Sequence, residues 1–239
     1  MSLSGTRVVI LGGTSGLGYA VAEGAIRQGA SVVVASKRAE RVHAATASLG
    51  QHAEGHAVDL SSETSIKDFF GLIGPFDHLV YTAGDSLLVG ALDTIDVAAA
   101  RDFFGVRVWG AFAAVKYGAP LIRDGGSVVL TTGAAGRRPQ RGWTVTAALC
   151  TAMEGLTRAL AVELAPVRVN LVCPGVVRTP LWSGMPDDER EAMYQHIGSV
   201  LPVGRVGTPE DVAEAYLYLM RERYSTGQIV VVDGGHVLV

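Results

Sequence analysis

Short apolar runs of strand length alternate along the chain with longer stretches in which apolar positions recur every three or four residues. The first run opens at Arg7, breaks into a glycine-spaced turn in RVVILGGTSGLG, and leads to a helical pattern from Tyr19 to Gln28. The second, Ala30 to Ala35, is β-branched on both faces, as a strand covered on both sides by helices must be. The pattern then predicts a helix from Ala39 to Leu49, a short strand at Glu54 to Val58 and a helix from Glu63 to Ile73. Next come a strand at His78 to Tyr81, a helix near Ile95 to Lys116 and a strand at Ser127 to Thr131. A helix from Thr144 to Leu164, a strand at Arg168 to Val172 and a last strand at Gln228 to Val232 complete the series. Such alternation predicts an α/β chain with a doubly wound parallel sheet, in three layers and one domain. Right-handed crossovers then put the ligand crevice at the carboxyl ends of the strands.

The glycine turn is the strongest local signal. A strand, a Gly-rich turn and a helix start together aim free backbone N–H groups and the positive end of the helix dipole at one point, which suits a pyrophosphate. Gly12 allows the tight turn, Gly16 lets the backbone approach the phosphates and Gly18 lets helix and strand pack closely, with Thr14, Ser15 and Leu17 completing the cradle. A plain loop is the alternative; the position between strand and helix favours a dinucleotide-binding Rossmann fold over residues 1–239.

Between Thr179 and Gly207 the alternation stops. The segment carries Pro180, Trp182, Met185, Pro186, a charged helix start at Asp187 to Glu191, then Met193, Tyr194 and Ile197. Beside the expected crevice, residues 180–206 read as a substrate lid, with a capping helix or a subunit contact as the alternative.

Composition narrows the function classes. The chain has 239 residues, enough to bury a core without disulfide support. Its formal net charge is -3, with no long basic or acidic run, so neither nucleic acid nor an anionic membrane surface is expected as partner. Cys150 and Cys173 form no disulfide framework or metal set, which fits a reducing compartment. The first strand starts so early that no leader is expected, no apolar run looks long enough to cross a bilayer, and the expected location is cytoplasmic. His52 and His56 have helical ligand spacing in a loop-like stretch, so no metal site is expected.

The second strand chooses the cofactor. An acidic residue at its end would bond the ribose hydroxyls and favour NAD. Here Ser36, Lys37 and Arg38 stand in that place, and a hydroxyl followed by two cations suits the 2′-phosphate of NADP, with NAD still possible and a solvated basic turn as the alternative. Asp59, at the end of the third strand, offers an acceptor to the adenine amino group or caps the next helix.

The ordered set of motifs resembles the short-chain dehydrogenase/reductase family over nearly the whole chain. The glycine turn, Asp59-Leu60, Ala83-Gly84, Arg168-Val169-Asn170, Pro174 to Thr179, Gly207 to Ala213 and Thr226 to Gly235 fall in family order and spacing. The resemblance implies that Pro174, Gly175, Val177 and Thr179 wrap the nicotinamide side of the cofactor. It also implies that Ala83 and Gly84 line the adenosine ribose, and that a tetramer or dimer forms through the two long helices.

Family catalysis uses an Asn, a Ser and a Tyr-x-x-x-Lys pair. In family register Thr146 stands at the Tyr position, Cys150 at the Lys position, Arg107 at the Asn position, and Thr132, or Gly133 if the loop slips by one, at the Ser position. A Thr hydroxyl is far too weak an acid to replace a phenol of pKa about 10. Thr132 can still hydrogen-bond a substrate oxygen. Arg107 supplies a permanent cation that polarises a carbonyl or binds a carboxylate, or else joins the long helices in a structural ion pair. Tyr81, at the mouth of the fourth strand, reads as core or ribose packing, with acid catalysis as the alternative. Arg137, Arg138, Arg141 and Trp143 either border an anionic or aromatic substrate or form a solvated face.

Two classes of function are open to such a chain. One is an NADP-dependent oxidoreductase of atypical mechanism acting on a small carbonyl or alcohol, with Thr132 and Arg107 at the substrate oxygen and water as the proton source. The other is a non-catalytic dinucleotide sensor or scaffold, or a non-redox enzyme that uses the same crevice as a shaped pocket.

Overall fold

The computed structural model describes residues 2–84 and 87–239. Seven strands, β1 (Arg7–Leu11), β2 (Ser31–Ser36), β3 (Ala53–Ala57), β4 (Phe76–Tyr81), β5 (Ile122–Thr131), β6 (Arg168–Pro174) and β7 (Ile229–Val232), form one parallel sheet in the order β3-β2-β1-β4-β5-β6-β7. Successive strands wind outward from β1 in one direction and from β4 in the other, so the crossover between them opens a crevice at the carboxyl ends of β1 and β4.

The helices are α1 (Gly16–Arg27), α2 (Ala39–Leu49), α3 (Glu63–Ile73), α4 (Val97–Phe104), α5 (Ala111–Gly118), α6 (Thr144–Glu163), α7 (Asp187–Val200) and α8 (Pro209–Arg221). Alternation along β1 splits the core into two layers. Val9 and Leu11 face the layer built with α3, α5 and α6, while Val8 and Ile10 face the layer of α1 and α8. Each fully buried aliphatic side chain contributes about 1.5–3 kcal/mol, so the two layers together fix the register of every strand.

Several expected boundaries move by one to five residues, chiefly because strands run further than their apolar stretches: β4 starts at Phe76 and β5 at Ile122. Three differences are larger. The helix expected over Ile95 to Lys116 is broken: between α4 and α5 lies a π-helical turn, Gly105–Gly110. Helix α8 lies in a stretch for which the sequence reading names no helix; its start is marked by a capping box in which Thr208 and Asp211 bond each other's backbone N–H, with Pro209 in the first turn. Helix α6 is long and apolar enough, by length and composition, to cross a membrane, contrary to the expectation of no such run. Its Leu149, Met153, Thr157 and Leu160 are buried in the domain, as in a core helix.

Candidate functional site

The turn after β1 is held tight against the start of the segment after β4. Gly12 has φ +92°, and a Cβ there would lie 2.6 Å from the Ala83 nitrogen, so only glycine serves. Helix α1 begins at Gly16 with no side-chain cap from Ser15 and no acidic residue in its first turn. Its first N–H groups therefore need a partner from outside the helix, and an anion meets that need. The loop after β6 faces this terminus: a Cβ on Gly16 would stand 3.4 Å from the Thr179 Cβ. The uncapped N–H groups of this turn are of the kind that hold a dinucleotide pyrophosphate, beside the contact between Gly16 and Thr179.

At the end of β2, Lys37 and Arg38 are exposed. The Lys37 ammonium lies 2.9 Å from Asp59 Oδ2. That bond, with two further bonds from Ser61, draws the Asp59 carboxyl down to about 2. Asp59 is not the cap of the next helix: Ser62 is, accepting from the Ser65 N–H.

The loop carrying Pro174 to Thr179 is anchored from three sides. Gly175 packs so closely on Asp233 that a Cβ would come within 2.8 Å of its Cα. The Val177 carbonyl accepts a bond from the Trp182 indole N–H at 3.0 Å. The Arg178 guanidinium grips Glu191 of α7 at 2.6 and 2.9 Å and stacks 4.5 Å from the Tyr194 ring centroid. Tyr194, Leu201 and Val206 form a small apolar cluster of their own, so the segment from Pro180 to Val206 folds as a unit on this loop. Trp182 and Tyr194 are legible in the sequence only as members of an aromatic segment; their partners lie on the preceding loop.

On the other wall, Thr132 lies just after β5 and its hydroxyl donates to the Cys150 carbonyl at 2.9 Å. The Cys150 thiol is buried and its pKa is raised by that burial, with its polar contacts to Thr132, Gly133 and Gly136, and the nearby Arg107 charge, acting the other way. Thr146, also buried, donates its proton to the Leu88 carbonyl at 2.8 Å and so ties α6 to the segment after β4. Thr132, Cys150 and Thr146 thus gather on one wall, with both hydroxyl protons committed to backbone carbonyls.

Arg107 lies in the π-helical turn. A Cβ on Gly84 would sit 2.4 Å from its Nη1, and the guanidinium carbon is 5.1 Å from the Phe103 ring centroid. The cation therefore reaches the carboxyl end of β4. The Tyr81 phenol is buried and donates to the Val106 carbonyl in the same turn, which identifies it as a packed, bonded core residue. Of the loop arginines, Arg137 pairs with Glu154 at 2.9 Å and Arg138 donates to the His236 carbonyl at 2.9 Å, so two of the three are held by partners within the chain. His56 lies in β3 rather than a loop, 2.6 Å from Glu54.

Comparison with known proteins agrees with this fold. Residues 12–236 match the family model described as enoyl-(acyl carrier protein) reductase. The chain is 33% identical to the short-chain dehydrogenase/reductase fsr5 of Gibberella fujikuroi over 99% of this chain and 96% of that one. It superposes with a TM-score of 0.84 and 38% identity on a small-chain dehydrogenase solved in complex with NADPH, covering 98% of this chain and 99% of the other. It superposes with a TM-score of 0.92 and 30% identity on the MalC reductase/Diels-Alderase from Malbranchea aurantiaca, covering 99% and 98%.

Proposed function

The chain belongs to the short-chain dehydrogenase/reductase family, and from that premise we propose that it is an NADP(H)-dependent oxidoreductase of small carbonyl and alcohol compounds that works without the Tyr-x-x-x-Lys pair. The observation that carries the redox reading is the uncapped start of α1 facing Thr179, with Lys37 and Arg38 at the end of β2. The turn from Gly12 through Thr14, Ser15, Gly16 and Leu17 to Gly18 would hold the pyrophosphate. Ser36, Lys37 and Arg38 would hold the 2′-phosphate, and Asp59, Leu60, Ala83 and Gly84 the adenosine half. Pro174, Gly175, Val177 and Thr179 would hold the nicotinamide half. Lys37 would exchange Asp59 for the phosphate at little cost, because an exposed ion pair is worth only about 0–1 kcal/mol. The NADPH-bound neighbour supports this choice of cofactor.

When bound, NADPH supplies a hydride. The protein must then stabilise the charge that builds on the substrate oxygen, and the candidate is Arg107, a permanent cation at the end of β4. Arg107 cannot release a proton near neutral pH, so the proton comes from water. Thr132 contributes oxygen lone pairs and becomes a donor to substrate only by leaving the Cys150 carbonyl. Thr146 serves as a tether and Cys150 as a protonated core thiol. Absence of a positioned acid lowers the rate by about 10²–10⁴-fold, which suits an easily reduced substrate.

Residues 180–206 would cover the substrate, since they are fastened to the loop that flanks the nicotinamide half. Trp109 in the π-helical turn, Phe112 on α5 and Val162 on α6 are large exposed apolar side chains; they support a homo-oligomer built through these helices. Two buried free cysteines fit a reducing, cytoplasmic setting. A second reading, in which the crevice also shapes a non-redox reaction, is favoured by the Malbranchea neighbour, whose name pairs reductase with Diels-Alderase.

Fluorescence titration with NADPH and NADH tests the proposal. NADPH should bind at least about tenfold more tightly, as expected of one charge-assisted phosphate contact. Failure of both to bind would overturn it.

A further inference from the structure

Tyr81 is the last residue of β4 and is 1% exposed. Its phenolic proton goes to the carbonyl of Val106, the residue immediately before Arg107, across 25 positions of sequence. The acceptor lies inside the one stretch of this long helical region that is not α-helical, the turn Gly105–Gly110. A π-helical turn departs from the regular i→i−4 ladder and persists only where neighbouring structure compensates it. Two features compensate here. The phenol takes up the Val106 carbonyl, and Gly110 lets the turn close on the strand ends: a Cβ there would meet the Leu60 carbonyl at 2.4 Å and the Tyr81 hydroxyl at 2.5 Å.

The widened turn has a directional consequence. Successive helical side chains differ by about 100° in direction, so the extra residue of a π turn re-aims the side chains within and beyond it. Arg107, next to the bonded carbonyl, is delivered against Gly84, three residues beyond Tyr81 on the same strand end. One strand end thus supplies both the latch on the turn and the surface on which the guanidinium rests. We infer that Tyr81 is a positioning residue for Arg107, holding the π-helical turn that brings the guanidinium to the crevice. This inference rests on the role proposed above for Arg107.

Tyr81→Phe is the test, because the phenyl ring fills the same space and removes only the hydroxyl. In protein labelled on the arginine side chains, the Arg107 Nε–H resonance is identified by its loss in Arg107→Gln. Tyr81→Phe should shift or broaden that resonance. Tyr216→Phe, which removes another buried phenol bonded to Thr131 at 2.8 Å, should leave it in place. In NADPH-dependent carbonyl reduction, Tyr81→Phe should lower kcat by roughly 10- to 100-fold, the scale of a misplaced reacting group. The Tyr81→Phe/Arg107→Gln double variant should be no slower than Arg107→Gln alone, since both remove the same contribution. An unmoved Arg107 resonance, or single-variant losses that multiply in the double variant, would overturn the inference. If Arg107→Gln keeps the wild-type rate, the catalytic reading of Arg107 fails instead, and the resonance still decides whether Tyr81 positions it.

Discussion

The ammonium of Lys37 lies 2.9 Å from the carboxylate of Asp59, so two residues proposed for different parts of one adenosine-phosphate group hold each other. The pair keeps a cation at the end of β2, where a 2′-phosphate would arrive. Lys37→Asp reverses that charge beside Asp59. The NADPH dissociation constant should then rise about 10- to 100-fold while that of NADH changes by less than about threefold. Equal losses for both cofactors, measured by titration, would remove Lys37 from the phosphate site.

Thr146, which the family resemblance sets at the Tyr position, offers a test that separates structural from catalytic use of a residue. Its hydroxyl is committed to the Leu88 carbonyl. Thr146→Val should lower stability by about 1 kcal/mol, the worth of one neutral hydrogen bond, and leave kcat within about twofold. A rate loss of 10²-fold or more would make Thr146 part of a proton path.

Both thiols should be silent in the folded protein. Burial raises the Cys150 pKa and pushes that of Cys173 up to about 12. Titration with an aromatic disulfide at mildly alkaline pH should find no fast thiol until denaturant is added, and then both. Rapid reaction of one thiol in the native protein, lost in Cys150→Ser, would show Cys150 to be accessible and active.

His78 makes stability depend on pH. It is buried, with Nδ1 2.9 Å from the Ser127 hydroxyl. Burial first, then the Arg168 charge, lowers its pKa from 6.5 to about 4, against an opposing pull from Asp77. The unfolded chain therefore protonates His78 near pH 6.5 and the folded chain only near pH 4. Between these values the unfolded state binds more protons, so stability rises with pH. The contribution is complete above pH 6.5 and is lost as pH falls toward 4, by up to roughly 3 kcal/mol. Urea unfolding across that window should show His78→Gln with a pH slope shallower by about one proton; an unchanged slope would assign the effect elsewhere.

Much of the fold is legible because its signals are local. Helices α2 and α3 fall on the residues their patterns mark, the first capped at its end by Gly50 and the second flanked by the caps Ser62 and Gly74. The apolar runs of β1, β2 and β6 reflect burial on both faces. Helix α8 carries a readable start in Thr208-Pro209-Glu210-Asp211 and an apolar stripe at Val212, Ala213, Tyr216 and Leu217, although Gly207 to Ala213 reads first as a family motif. The π-helical turn is not legible, because Gly105 and Gly110 sit in a pattern that continues as helix on both sides and the Tyr81 bond that supports it comes from another element. The cradle can be read from glycine spacing. The wall of Thr132, Thr146 and Cys150 can be named from the sequence but not understood, since Thr146 meets a partner 58 residues away and Arg138 one 98 residues away. Such pairings depend on sheet order, which local periodicity does not carry.

The most direct measurement tracks NADPH absorbance with a panel of ketones, quinones and enones for the wild-type protein and for Arg107→Gln. NADPH should be consumed only when a reducible substrate is present. Arg107→Gln should lose about 10²–10³ in kcat, the usual effect of removing one charge-stabilising group, while its NADPH dissociation constant stays within about twofold. Tight NADPH binding with no consumption across the panel would contradict an oxidoreductase and favour a dinucleotide sensor, and full activity in Arg107→Gln would contradict polarisation by that residue.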